Sequence, residues 1–268
     1  MRQGRFSWLG VITVAILIFV NAPFLIIVPS SFTTAGYLSF PPEGFSLDWY
    51  KQILDRPEFI EAFWFSLQLA AITAILSTLI GTMAAIAISK YQFKGKNIIS
   101  GLLLSPLTVP SLIIGIAALL FFTRLGLGGT FLGLLLAHLL ISIPYVVRLV
   151  LTGLTTFDYT LEKAAYMLGA RPVHVFWDIT LPMLRPAILS GFIFSFLTSF
   201  DNVTVSLFLV APDTTTLPLA IFTYMQESLD PMVASISSVV ILISLFFIFL
   251  LEKVYGLDRL FGLNAQQH

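Results

Sequence analysis

Long apolar runs separated by short polar stretches dominate the 268-residue chain. A helix that crosses the hydrocarbon core of a bilayer needs about 20 mostly apolar residues. Six runs meet that requirement, at 8–28, 63–88, 99–123, 131–151, 186–210 and 232–251, and each is predicted to span. Between them, Leu47–Leu54 has an amphipathic pattern, and Leu161, Ala164, Ala165 and Leu168 repeat at i, i+3, i+4 and i+7. That second repeat predicts a short helix with one apolar face. Gly169 and Pro172 then stop it, and a further stretch, Val173 to Thr180, is expected to end at Pro182 and Pro186. The fold class is all-α, a polytopic membrane protein of six transmembrane helices.

Composition agrees with the pattern. Only 10% of residues are charged and 57% are hydrophobic, with a mean hydropathy of +0.96. A soluble surface needs more charge than this, and a disordered chain has far less apolar surface. There is no basic excess for phosphates, so nucleic acid is not a partner. With no cysteine, disulfides and thiolate chemistry are absent. The first run follows Arg2 and Arg5, but it is longer than a signal-peptide core and no small-residue cleavage site follows. It is expected to stay as an anchor.

Loop charges set the orientation. With both termini inside, the inner side holds Arg2, Arg5, Lys90, Lys94, Lys96, Arg148, Lys163, Arg171, Arg185, Lys253 and Arg259 against Asp158, Glu162, Asp178, Glu252 and Asp258, a balance of +6. The outer side holds Lys51, Arg56 and Arg124 against Glu43, Asp48, Asp55, Glu58, Glu61, Asp213, Glu227 and Asp230, a balance of −5. The expected plan is an anchor at 1–28, an outer loop at 29–62, a core of five spans at 63–252, and a cytoplasmic tail at 253–268. A cytoplasmic loop at 152–185, between spans four and five, lies within the core. The apolar face at 161–168 therefore faces the water side, where it folds back on the chain's own spans, lies in the lipid interface, or docks into a soluble partner. Periodicity leaves these readings open.

The run Glu162-Lys163-Ala164-Ala165-Tyr166-Met167-Leu168-Gly169, followed by Ile179, Leu181 and Pro182, resembles the EAA loop of ABC-importer permeases. The family motif reads E-A-A, three residues, G, nine residues, I-x-L-P, and the spacing here matches. Lys163 stands where the motif glutamate is usual, with Glu162 one residue earlier. Pro106, Pro110, Gly115, Tyr145, Arg148 and Ser199-Phe200-Asp201 extend the resemblance to the polyamine-type branch, over roughly 45–262. The resemblance implies a permease subunit in a bacterial inner membrane that moves a small solute by alternating access. Implied partners are nucleotide-binding ATPase subunits, a second and homologous permease subunit, and an external substrate-binding protein. It further implies that Glu162, Lys163, Ala164, Ala165, Leu168, Gly169, Leu181 and Pro182 couple the chain to the ATPases. No cofactor is expected in this chain, because ATP and magnesium belong to the partner subunits. In agreement, there is no G-x-x-x-x-G-K-[ST] phosphate loop: at the sole Gly-Lys pair, Gly95-Lys96, Lys90 takes the first glycine's place.

Asp201 is the one carboxylate inside an expected span. A charge there is costly, so it is expected to face protein or water along a pathway, with Asn202, Ser199 and Tyr145 as companions. A structural hydrogen bond to a neighbouring helix is the other reading. His138 has no His, Asp or Glu at i+3 or i+4, which favours helix packing over metal ligation. Pro106, Pro110 and Pro144 are expected to kink their spans, and the Gly126–Gly129 run reads as a tight turn. Related permeases carry iron, phosphonates or opines, so the solute stays open between these and a polyamine. An ion-coupled carrier is disfavoured by the lack of a repeat and of further intramembrane acids. An intramembrane enzyme is disfavoured by the absence of any paired catalytic set.

Overall fold

The computed structural model describes residues 8–211, 214–228 and 230–255. Asp213, the tail from residue 256 and the N-terminal Arg2 and Arg5 therefore lie outside the described residues. Every regular element among those described is helical. The chain divides into two compact units, residues up to 60 with 221–248, and residues 61–220 with 249 onward.

The first unit begins with α1 (Trp8–Ser30), which carries no charge and presents nearly all its apolar side chains outward. The turn that follows is tied by polar groups. Ser31 Oγ lies 2.6 Å from the Tyr50 hydroxyl, and Trp49 Nε1 donates to the Thr33 carbonyl at 3.1 Å. Tyr50 and Trp49 sit on α2 (Asp48–Leu54), the amphipathic stretch seen in the sequence, which buries none of its own residues. From α12 (Met232–Tyr255), Ser235 donates to the Ser31 carbonyl at 3.0 Å.

The second unit carries the core. Helix α3 (Pro57–Lys90) starts inside the stretch expected as loop, with Pro57 at its first position, where a missing N–H costs nothing. Apolar side chains of α3, α5 (Ser111–Arg124), α6 (Phe131–Thr155) and α10 (Thr204–Leu209) form one cluster around Leu69, Ala118, Leu134 and Val205. A second cluster joins α3, α6 and α9 (Leu181–Phe200) through Ala85, Val146, Val150 and Leu184. Val146 is fully buried because Gly191 leaves room for it: a Cβ at Gly191 would lie 3.2 Å from Val146 Cα. Small residues of this kind let helix backbones approach where lipid supplies no hydrophobic drive.

Three features depart from the expected spans. The run 99–123 is not one helix but α4 (Lys96–Leu104), a 3-10 turn (Ser105–Leu107) and α5, bent by 105°. Pro106 and Pro110 each remove an N–H from the ladder, and the residue before a proline avoids the helical region. The run 186–210 breaks at 201–203, between α9 and α10. There the Asn202 side chain accepts the Val205 N–H at 2.8 Å, competing with the helix ladder. Conversely, Pro182 and Pro186 interrupt nothing: α8 (Pro172–Val175), a π-turn (Phe176–Thr180) and α9 run on continuously. Inside the π-turn the Leu181 N–H pairs with the Phe176 carbonyl five residues back, which shifts the ladder before Pro182 enters. Pro144 likewise sits inside an unbroken α6. Among the described residues, four helices are long and apolar enough to cross a membrane, or up to five if the bent pair counts as one span.

Filling the gap at Gly191 tests the packing. Gly191→Leu should lower thermal stability in detergent by about 1–3 kcal/mol through overpacking, whereas Gly101→Leu, which meets open space, should leave it unchanged.

Candidate functional site

The short helix expected at 161–168 is α7 (Tyr159–Met167), and its ends explain why so short a segment is helical. At the start, the Asp158 carboxylate accepts the Thr160 N–H at 2.9 Å, satisfying a donor the helix leaves free. At the end, Gly169 has φ +84°, a left-handed conformation that costs a glycine little. The Gly169 N–H bonds the Tyr166 carbonyl at 3.0 Å and the Ala170 N–H bonds the Ala165 carbonyl at 3.0 Å. This paired closure satisfies the last free carbonyls.

Which face α7 buries is the informative result. Leu161 is 49% exposed, Met167 88% and Leu168 89%, so the apolar face does not fold back on the chain's own helices. Turned inward instead is Glu162, only 6% exposed. Its Oε1 accepts the Lys90 ammonium at 2.5 Å and also the Thr180 hydroxyl. Beside them, Ser89 Oγ lies 2.9 Å from the Tyr159 hydroxyl, and Lys90 Nζ stands 6.0 Å over the Phe157 ring. The end of α3, the inner face of α7 and the end of the π-turn therefore meet at one carboxylate. A buried pair is held by its geometry, and removing one partner strands a charge at a cost of about 3–5 kcal/mol.

The other motif residues are dispersed. Lys163 and Ala164 are exposed, Ala165 is half-buried, and Leu181 and Pro182 are half-buried at the start of α9. Leu181 lines an apolar groove of about 490 Å³ with Thr82, Met83, Tyr91, Phe176 and Trp177. Sequence reasoning missed Lys90 and Thr180 as members of this site. Thr180 had a signal, since it is the variable position of the I-x-L-P stretch. Lys90 had none, because its partner lies 72 residues away.

The four expected pathway residues are not one cluster. Asp201 follows the last residue of α9, is exposed, and its carboxylate has no hydrogen bond or ion pair among the described residues. Asn202 is used in capping α10. Ser199 is buried and bonded to His138 Nδ1 at 2.8 Å, while His138 Nε2 lies 3.2 Å from Ser206 Oγ. His138 is thus a packing residue joining α6, α9 and α10. Tyr145 stacks on Phe194, with ring centroids 6.4 Å apart.

The description that fits residues 77–255 is the binding-protein-dependent transport system inner membrane component. The chain belongs to that family. It is similar to the spermidine/putrescine transport system permease protein PotC of Haemophilus influenzae, 32% identical over 94% of this chain and 98% of that one. It is similar also to the putrescine transport system permease protein PotI of Escherichia coli, 32% identical over 88% and 86%. Among solved structures, a bacterial alginate ABC transporter in complex with an alginate pentasaccharide-bound periplasmic protein has the same fold. There the TM-score is 0.69 at 16% identity, over 92% of this chain and 93% of that chain. This permease is a membrane subunit of an ABC importer, a multi-pass protein of the bacterial inner membrane.

The Asp158 cap makes the α7 start sensitive to acid. Hydrogen bonds from Thr160 hold its carboxyl below the ordinary 3.8. The cap is therefore fully present above that value and lost as pH falls through the lowered one. Protection of the first α7 amides, taken relative to their intrinsic exchange rate at each pH, should fall on acidification through this range, and Asp158→Asn should remove that dependence.

Proposed function

We propose that this permease is one of two homologous membrane subunits of an ATP-driven importer for small organic cations of the polyamine class. In this reading it has six spans with both termini in the cytoplasm, as the loop charges indicate. ATP and magnesium are used by separate nucleotide-binding subunits, and an external binding protein delivers the solute. The observation that carries the reading is α7, pinned through Glu162 on one face and bare at Leu161, Met167 and Leu168 on the other. An exposed apolar helix face bounded by rigid caps suits helix-in-groove docking. ATP-driven closure of the partner subunits would push on this helix, and the movement would open the pathway outward. Lys163, Ala164 and Gly169 belong to the docking surface.

The solute class rests on two supports, the polyamines named for the relatives and Asp201, unpaired among the described residues, at the break between α9 and α10. A carboxylate next to a helix C-terminus lies at the negative end of the helix dipole, and a cation relieves that repulsion.

Co-purification tests the first part. An affinity-tagged chain should retain its ATPase subunits, and Leu168→Asp should weaken that retention by roughly 30-fold, the loss of a central apolar contact of about 2 kcal/mol. Gly169→Asp should leave insertion intact while abolishing solute-stimulated ATP hydrolysis. Persistence of both retention and stimulation in these variants contradicts the docking role. For the solute, a cation about 4 Å from a carboxylate gains about 1 kcal/mol even in water, so Asp201→Asn should weaken diamine uptake roughly fivefold or more. Unchanged uptake in an assembled complex contradicts a role for Asp201.

A further inference from the structure

We infer that the Lys90–Glu162 ion pair, closed by the Thr180 hydroxyl, is the joint through which displacement of α7 reaches α3 and α9. The inference rests on the reading of α7 as the docking helix and names the residues that make its movement productive.

The geometry is specific. One carboxylate oxygen of α7 accepts from the last residue of α3 and from the last residue of the π-turn that leads directly into α9. Ser89 and Tyr159 add a second polar link between α3 and α7, one turn away along α7. A push on α7 transmitted by apolar contact alone is free to slip, because such contacts have no direction. Hydrogen bonds to a charged acceptor fail steeply with angle and distance, so they fix register. The pair is also sheltered, with side-chain exposures of 21% for Lys90 and 8% for Glu162. Salt therefore screens it much less than a surface pair.

The π-turn gives the joint somewhere to act. Its five-residue pairing is a wider and less stable ladder than the α-helix on either side, a form found often at functional positions. Thr180 closes this turn, and Leu181 begins α9. Moving Glu162 with α7 thus draws on the one irregular segment of the Pro172–Phe200 run, while Lys90 draws on the end of α3. Acting on two helices from a single oxygen couples them, which separate contacts would not do.

The test uses the whole complex in proteoliposomes with its ATPase subunits and binding protein. Three forms are compared with the unaltered chain: Glu162→Gln, which retains an acceptor for Thr180, Lys90→Met, and the pair Lys90→Met with Glu162→Gln. Readouts are retention of the ATPase subunits, basal ATP hydrolysis, and solute taken up per ATP hydrolysed. The paired variant leaves no stranded charge, so it keeps the test open if either single variant fails to fold. Compared at matched retention of the ATPase subunits, uptake per ATP is expected to be about tenfold lower in the paired variant and in whichever single variants assemble. A Lys90→Glu with Glu162→Lys exchange should recover part of that loss, which a merely space-filling role would not produce. Unaltered uptake per ATP in the assembled paired variant overturns the joint while leaving α7 docking intact. Failure of the unaltered chain to hold any ATPase overturns the docking reading and the joint with it.

Discussion

Hydrocarbon offers no hydrogen bonds, and this constraint governs the architecture more than any single contact. Each backbone N–H and carbonyl within the bilayer must be satisfied by the chain itself. Regular helices do this by default, so the places where the ladder stops are the informative ones. At 201–203 the Asn202 side chain supplies an acceptor for the Val205 N–H, and the Ser206 hydroxyl bonds the Asn202 carbonyl at 2.8 Å. At 105–110 two prolines simply remove the donors that would have gone unmet, and the chain turns through 105°. Between Phe176 and Thr180 the ladder shifts by one residue and then admits Pro182.

Several polar side chains obey the same rule. His138 spends both ring nitrogens on serines of neighbouring helices, and Ser77 and Ser195 hydrogen-bond each other across α3 and α9. Lys90 and Glu162 neutralise each other where α3 ends. Asp201 stands outside this economy, since its carboxylate finds no partner among the described residues. A permease needs its surfaces in two kinds: contacts that are complete within the chain, and groups left unmet for something that binds. Under the proposed function, Asp201 and the outer face of α7, both exposed, are of the second kind.

Much of this was legible in the sequence, for reasons that are physical. Long apolar runs gave α1 and α6 close to their observed ends and α3 apart from its first turns, and the i, i+3, i+4, i+7 repeat with Gly169 gave α7 and its stop. Prolines were harder to read. Pro106 and Pro110 announced a disturbance but not a bend of 105°, and Pro182 and Pro186 suggested breaks that a π-turn made unnecessary. The break after Phe200 followed from Asn202 acting as a local cap, an alternative to the helix that hydrophobicity does not register. The face of α7 could be drawn but not assigned, because burial of Glu162 depends on Lys90, far away in the chain. Ser199 and Asn202 were read with Asp201 from proximity in sequence, whereas in the fold Ser199 is bonded to His138 and Asn202 caps α10.

The absence of native cysteine makes one measurement direct. A single Leu168→Cys, placed at the tip of the exposed face, can be titrated with a membrane-impermeant maleimide in inside-out vesicles. The account predicts rapid labelling of the chain alone and protection of about tenfold or more when the ATPase subunits are bound, since a docked central residue is cleared of water. Equal labelling with and without the ATPase, or no labelling from the cytoplasmic side, would contradict it.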